Sequence, residues 1–175
     1  MKLIPYVLSD GAYSLPDSVM KGIYSTMVRY HLDKIVFYSG GMNEDNFLLF
    51  MKSPQNVVHT IWEGDEIGII AWVNGFGANF AYAHFCCFPR TWGSTSIELG
   101  RRSLEYWFNF KKDDGTYLFD VVLGLVPAHN KKAISYIKKV GASILGTIPR
   151  MKCGNKKDGV VVGYITREGN NGSIR

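Results

Sequence analysis

The spacing of apolar residues divides the chain into helical and extended stretches. Leu3 to Val7 is a short β-like start, and behind Pro16-Asp17-Ser18 the residues Met20, Ile23, Met27 and Tyr30 recur at helical intervals, which predicts a first helix. A second, shorter helix is expected from Asn43-Glu44-Asp45, with Phe47, Leu48 and Met51 on its apolar side and Pro54 stopping it. The period then changes. Val57 to Trp62 and Ile67 to Val73 are rich in β-branched and aromatic residues, and Glu63-Gly64-Asp65-Glu66 between them has turn chemistry, so the pair reads as a hairpin. Asn74-Gly75-Phe76-Gly77 turns the chain into Phe80 to Phe88. That strand carries Tyr82, His84, Cys86 and Phe88 on one face and Ala81, Ala83, Phe85 and Cys87 on the other.

Past Gly93 the helical period returns. Ile97, Gly100, Leu104, Trp107 and Phe108 line one face, Thr95 with Glu98 matches a capping box, and the helix is expected to end near Lys112-Asp113-Asp114-Gly115. Tyr117 to Val126 is almost continuously apolar, as suits a central strand covered on both faces, and Pro127 breaks it. Asn130 can cap a further helix with Ala133, Ile134 and Ile137 inward and Gly141 as its stop. Ser143 to Ile148 and Val160 to Thr166 read as strands joined by a polar loop, Cys153 to Asp158, and Gly169 to Arg175 as a flexible tail. The predicted order β, α, α, β, β, β, α, β, α, β, β is an α/β layered sheet in a single domain over residues 1–168, with the middle helix joining two strands by a crossover.

Composition narrows the class. A chain of 175 residues can bury a full core without disulfides or a structural metal. Its longest apolar runs, near Ile67 to Val73 and Val121 to Val126, are strand-sized, so no membrane span is expected. The opening Met1-Lys2-Leu3-Ile4-Pro5 has no extended apolar region or small-residue cleavage site, and the expected location is the cytoplasm. Cys86, Cys87 and Cys153 do not make a disulfide framework, and His31, His59, His84 and His129 are too scattered for a metal site, so none is assigned. The net charge of +5 favours anionic partners, yet the basic residues are dispersed and no aromatic-interleaved signature accompanies them, which argues against nucleic acid. A phosphate-rich cofactor would use the same charge.

Phe88-Pro89-Arg90-Thr91-Trp92-Gly93-Ser94-Thr95 joins a strand directly to the start of an amphipathic helix, where free N–H groups and the positive end of the helix dipole gather. A small-residue run there lets a diphosphate approach the backbone, and Arg90 adds charge-assisted bonds. By spacing alone the stretch also reads as an ordinary strand-to-helix loop. The element order and two motifs together resemble the GNAT N-acetyltransferase superfamily. Arg90-Thr91-Trp92-Gly93-Ser94-Thr95 looks like its Arg/Gln-x-x-Gly-x-Gly/Ala pyrophosphate loop, and Val126 to Ala133, running on to Lys138-Lys139-Val140-Gly141, looks like its Asn-x-x-Ala helix and Lys-x-Gly ending. The resemblance spans residues 56–167 and covers the first fifty by element order alone.

What the resemblance implies is a mixed, mostly antiparallel twisted sheet of about seven strands flanked by about four helices. It further implies acetyl-CoA as cosubstrate, its pantetheine entering between the strands Phe80 to Phe88 and Tyr117 to Val126. Backbone groups of Cys87 and Phe88 would pair with the pantetheine amides, the loop Arg90, Thr91, Trp92, Gly93, Ser94 and Thr95 would hold the pyrophosphate, and Asn130 would reach the pantetheine. Asn130 is equally a helix cap, and one side chain has an end for each task. Thr95 stands where the family has glycine or alanine. The family's frequent acid tyrosine falls at Ile137, with Tyr136 one position early and about 100° round the helix, so no acid is assigned.

Acyl transfer from a thioester to an amine needs a neutral amine and a polarised carbonyl. His84 is the candidate base, as a histidine or glutamate on this strand is in several family members, while its structural alternative is a half-buried strand histidine bonded to a neighbour. His59, Glu63 and Asp120 are other candidates. Cys86 and Cys87 lack a recognisable base partner and read as small apolar fillers. The expected activity is transfer of acetyl from acetyl-CoA to a primary amine on a small molecule or a protein, with a homodimer left open. The alternative is a weak or inactive CoA-binding or structural protein. A loose resemblance to divergent phage-encoded GNAT-like proteins would make it virion or head-assembly associated, in the host cytoplasm.

Overall fold

A computed structural model of the protein describes residues 1–38, 40–152, 156 and 158–172, the last two by their backbone only. In chain order the elements are β1 (Lys2–Tyr6), β2 (Leu8–Ser9), β3 (Ala12–Tyr13), α1 (Asp17–Arg29), α2 (Asp33–Val36), α3 (Glu44–Lys52), β4 (Val57–Glu63), β5 (Glu66–Asn74) and β6 (Phe80–Cys87). A 3-10 turn at Pro89–Thr91 follows, then α4 (Ser94–Phe108), β7 (Val121–Pro127), α5 (Lys131–Val140), β8 (Ser143–Ile148), β9 (Val160–Thr166) and α6 (Arg167–Gly172). Seven strands form one sheet in the order β1-β4-β5-β6-β7-β9-β8, and β2 pairs with β3 alone. The pairs β1–β4, β4–β5, β7–β9 and β8–β9 are antiparallel, and β6–β7 is parallel. The mixed, mostly antiparallel sheet expected from the sequence is the sheet observed.

The chain forms two compact units that share β6: Met1–Asn74 with His84–Ser96, and Gly75–Ala83 with the chain from Ile97 onward. In the first unit, the helical period of α1 delivers Met20, Ile23 and Met27 to the core, and α3 delivers Phe47, Leu48 and Met51. Asn43 caps α3 by accepting from the Asn46 N–H at 2.8 Å. The ion pairs Lys21–Asp45 and Lys52–Asp17 tie the two helices together on their wet side. Trp72 of β5 is almost fully buried, stacked on Phe37 and edge-on to Phe50. Tyr30 falls beyond the end of α1 and is exposed.

In the second unit, β7 and β9 pair from Val121↔Thr166 to Pro127↔Val160, and β8 adds an outer strand. Gly100 of α4 takes Tyr136 and Val140 of α5 against its bare Cα, and Gly163 of β9 takes Ile137. Gly141 ends α5 at φ 120°, where its own N–H reaches the Ile137 and Lys138 carbonyls.

Several boundaries differ from the sequence expectation. The helix expected to reach Lys112 stops at Phe108, and β7 starts at Val121 rather than Tyr117, because residues around Lys111↔Tyr117 pair in an isolated bridge instead. The Thr95–Glu98 capping box does not form, since α4 already begins at Ser94 and Glu98 pairs with Arg102 one turn on. The hairpin β2–β3 turns at Asp10-Gly11, both at positive φ, between strands too short to show alternation. Residues 169–172, expected in a flexible tail, continue α6, and the Thr166 Oγ1 accepts from the Gly169 N–H. Of the expected loop Cys153 to Asp158, only Lys156 and Asp158 lie among the described residues. No helix among the described residues is long and apolar enough to cross a membrane.

Candidate functional site

The end of β6 and the loop after it belong to the first unit. Phe88 is buried; its N–H donates to the Gly68 carbonyl of β5 at 3.0 Å, and its carbonyl accepts from both the N–H and the hydroxyl of Thr91. The Thr91 hydroxyl also lies 3.0 Å from the Gly68 carbonyl, so this threonine pins the loop to the sheet. Because N–H and C=O directions alternate along a strand, the backbone groups of Cys87 point away from β5. The Cys87 carbonyl accepts from the indole N–H of Trp92 at 3.1 Å. Of the two residues expected to offer backbone groups to a ligand, Phe88 is held by β5 and Thr91, and the Cys87 carbonyl is held by the Trp92 indole.

Trp92 is 58% exposed and Gly93 follows at φ 104°, a conformation glycine adopts without strain. A Cβ at Gly93 would meet no atom within 4 Å, so the space above it is open. Ser94 and Thr95 then head α4, whose first N–H groups have no partner within the helix. Arg90 sits in the 3-10 turn and pairs with Glu66, both well exposed. The loop thus carries a guanidinium, an open glycine and a helix N-terminus in succession, with Glu66 holding the guanidinium in place. Glu66 was not legible as a site residue, since the pairing crosses from β5 to the loop.

His84 lies on the same strand. Its ring stacks on Trp72 with centroids 5.0 Å apart and planes 10° from parallel, and its Nε2 is 3.0 Å from the Asn74 Oδ1. Burial lowers its pKa from 6.5 to about 4, so the imidazole is neutral at physiological pH. Asn74 donates through Nδ2 to the Asn56 Oδ1 at 3.1 Å, and Asn56 donates to the Phe50 carbonyl at 2.5 Å. In the sequence, Asn74 falls in a turn and Asn56 has no assigned role. The signal for Asn74 is the hairpin register, since counting back from the Gly68–Phe88 bond puts Trp72 opposite His84 and Asn74 at the end of that strand; Asn56 has no such signal. His59 is fully buried in β4, its pKa lowered to about 3 by burial, which removes it from solvent chemistry. Glu63 ends β4. Cys86 is buried and its thiol is pushed well above the usual range by that burial, as suits a filler.

In the second unit, Asn130 caps α5, its Oδ1 accepting from the Ala133 N–H at 3.1 Å, which leaves the Nδ2 end for a ligand. His129 Nδ1 lies 3.0 Å from the Asp158 carboxylate. Ile137 faces Gly163 of β9, while Tyr136 faces Gly100 of α4. Asp120 pairs with Arg167, whose guanidinium also donates to the Phe119 carbonyl and lies 3.8 Å from the Tyr117 ring centroid.

The strand order, with α4 crossing between the parallel strands β6 and β7, is that of the GNAT N-acetyltransferase fold, and the chain has that fold. Among solved structures, the spermidine N-acetyltransferase SpeG of Vibrio cholerae, in complex with CoA and spermine, is similar with a TM-score of 0.73 at 13% identity, over 97% of this chain and 98% of its own. A point variant of that enzyme matches with a TM-score of 0.73 at 12% identity over 100% of both chains. The microcin C7 self-immunity acetyltransferase MccE, in complex with acetyl-CoA and AMP, matches with a TM-score of 0.67 at 10% identity over 86% of this chain and 88% of its own. In sequence, no family profile and no curated protein matches the chain.

Proposed function

We propose that the protein is an N-acetyltransferase that moves acetyl from acetyl-CoA directly to a primary amine. The observation that carries this reading is the β6–α4 junction, where an exposed arginine, an open glycine and a helix N-terminus follow one another. The solved enzymes of this fold include complexes with CoA and with acetyl-CoA, which supports the same cosubstrate here. The diphosphate is assigned to the amides of Gly93, Ser94 and Thr95, with Arg90 leaving Glu66 to bind it. An exposed ion pair is worth at most about 1 kcal/mol, so a doubly charged diphosphate competes well for the guanidinium. The pantetheine is assigned to the end of β6, where one of its amides replaces the Trp92 indole on the Cys87 carbonyl.

His84 is assigned as the base. Burial makes it too weak to deprotonate a free ammonium, since the gap between a pKa of about 10 and one near 4 corresponds to roughly 8 kcal/mol. The amine therefore attacks in its neutral form, and His84 takes the proton from the nitrogen after the C–N bond forms, when that nitrogen has become strongly acidic. The thiolate leaves without a side-chain donor, because Ile137 occupies the position the family gives to tyrosine. The net charge of +5 speaks against a polycation such as spermine as the acceptor. Free-thiol release from acetyl-CoA with a panel of amines, run beside a thermal-shift titration with CoA, tests the reading. Stabilisation by CoA with amine-dependent thiol release is expected; stabilisation without release at any amine would make the protein a CoA-binding module.

A further inference from the structure

His84 ends a hydrogen-bond chain whose direction is fixed at its far end. The Phe50 carbonyl can only accept, so the group Asn56 turns toward it is the Nδ2 amide, at 2.5 Å. That leaves the Asn56 Oδ1 facing Asn74, which must answer with its own Nδ2, at 3.1 Å. Asn74 is then left with Oδ1 toward His84, at 3.0 Å, and an oxygen there requires an N–H on Nε2. Reversing either amide would place two oxygens in contact. The ring plane is fixed independently by Trp72, which is itself locked against Phe37 and Phe50.

We infer that Asn56 and Asn74 are positioning residues that hold His84 as its Nε2–H tautomer, so that Nδ1 alone carries the lone pair offered to the acceptor nitrogen. The role toward an acceptor rests on the acetyltransferase reading; the tautomer does not. The chain suits a base in both of its states. Neutral His84 and its protonated form each donate from Nε2 to the same Asn74 oxygen, so a proton arrives at Nδ1 and leaves it without any amide turning over. The bond between Nε2 and Asn74 removes the competing acceptor nitrogen and spares the site a tautomer exchange at each turnover.

The decisive experiment is a long-range proton–nitrogen correlation spectrum of the uniformly 15N-labelled protein, recorded at pH 7 on the parent and on Asn74→Leu and Asn74→Asp. The parent His84 is expected to show the Nε2–H pattern alone. Asn74→Leu removes the acceptor and should give a mixture in which the Nδ1–H form is substantial, whereas Asn74→Asp keeps an acceptor opposite Nε2 and should retain the parent pattern. In turnover, Asn74→Leu is expected to lower kcat by about tenfold or more with KM for acetyl-CoA nearly unchanged, and Asn74→Asp to stay within about threefold of the parent. A structural role alone predicts the reverse ranking, because a carboxylate beside the Asn56 oxygen is the more disruptive change. If Asn74→Leu does not fold, Asn56→Leu frees the chain one residue further away and is expected to give the same mixture to a smaller extent. An Nδ1–H pattern in the parent, or a tautomer indifferent to both leucine variants, would overturn the inference. A parent with the Nε2–H pattern but no turnover with any amine would overturn the acetyltransferase reading and the role of the chain in it, leaving the tautomer itself established.

Discussion

The register of α5 is open to a stability test through Gly100. A Cβ placed on Gly100 would lie 2.9 Å from the Val140 Cγ2 and closer still to the Tyr136 hydroxyl, and α4 and α5 are both anchored there. Gly100→Ala gains about 1 kcal/mol of intrinsic helix preference. Overpacking of this kind costs about 1–3 kcal/mol, so the net expectation is a loss of roughly 1 kcal/mol, with up to about 2 at the crowded end. For a chain of this size, each kcal/mol moves the melting temperature by roughly 2–4 °C. Tyr136→Phe removes the nearest of the crowding atoms, so Gly100→Ala made in that background should be close to neutral or stabilising. Calorimetry or urea unfolding of the four members of the cycle gives the coupling, expected at about 1 kcal/mol. If Gly100→Ala stabilised the parent by the full helix-preference gain, Tyr136 would not lie over Gly100, and the reason for denying it the acid's role would fall with it.

Three further outcomes are expected. Arg90→Ala should weaken CoA binding by roughly 1.5–3 kcal/mol, while Glu66→Gln, by releasing the arginine, should strengthen it a few-fold, about 0.5–1 kcal/mol; calorimetric titration that found Glu66→Gln the weaker binder would contradict the competition between carboxylate and diphosphate. His59 and His84 stay neutral in the folded protein with pKa values of about 3 and about 4. Below about pH 6.5 the unfolded chain takes up protons that the folded one refuses, so stability falls as pH falls, by about 2 kcal/mol for each histidine between pH 7 and pH 5. Urea midpoints that stayed flat across that interval would mean that neither ring is desolvated as described. Tyr136→Phe should leave turnover within about twofold of the parent, and a large loss in initial-rate assays would make that hydroxyl a participant in the chemistry.

Runs rich in β-branched and aromatic residues, bounded by turn residues, determined β4, β5, β8 and β9 to within a residue or two, because such side chains suit an extended backbone and turn residues end it. The glycine after Trp92, the cap at Asn130 and the stop at Gly141 were equally legible, being local backbone chemistry that does not depend on the rest of the fold. Local rules also misled: Thr95 and Glu98 satisfy the capping-box spacing, but α4 begins at Ser94, two residues sooner than a Thr95 cap requires, and Glu98 finds Arg102 instead. What only tertiary structure decided are pairings between residues far apart in sequence. Glu66 meets Arg90 because a hairpin returns β6 beside β5. His84 was legible as a candidate base, but its stacking on Trp72, its lowered pKa and its orientation by Asn74 and Asn56 depend on the cross-strand register and on where the last turn of α3 places the Phe50 carbonyl. A sequence states which groups are present; the direction in which a histidine holds its proton is set by an acceptor thirty-four residues away, and only packing brings the two together.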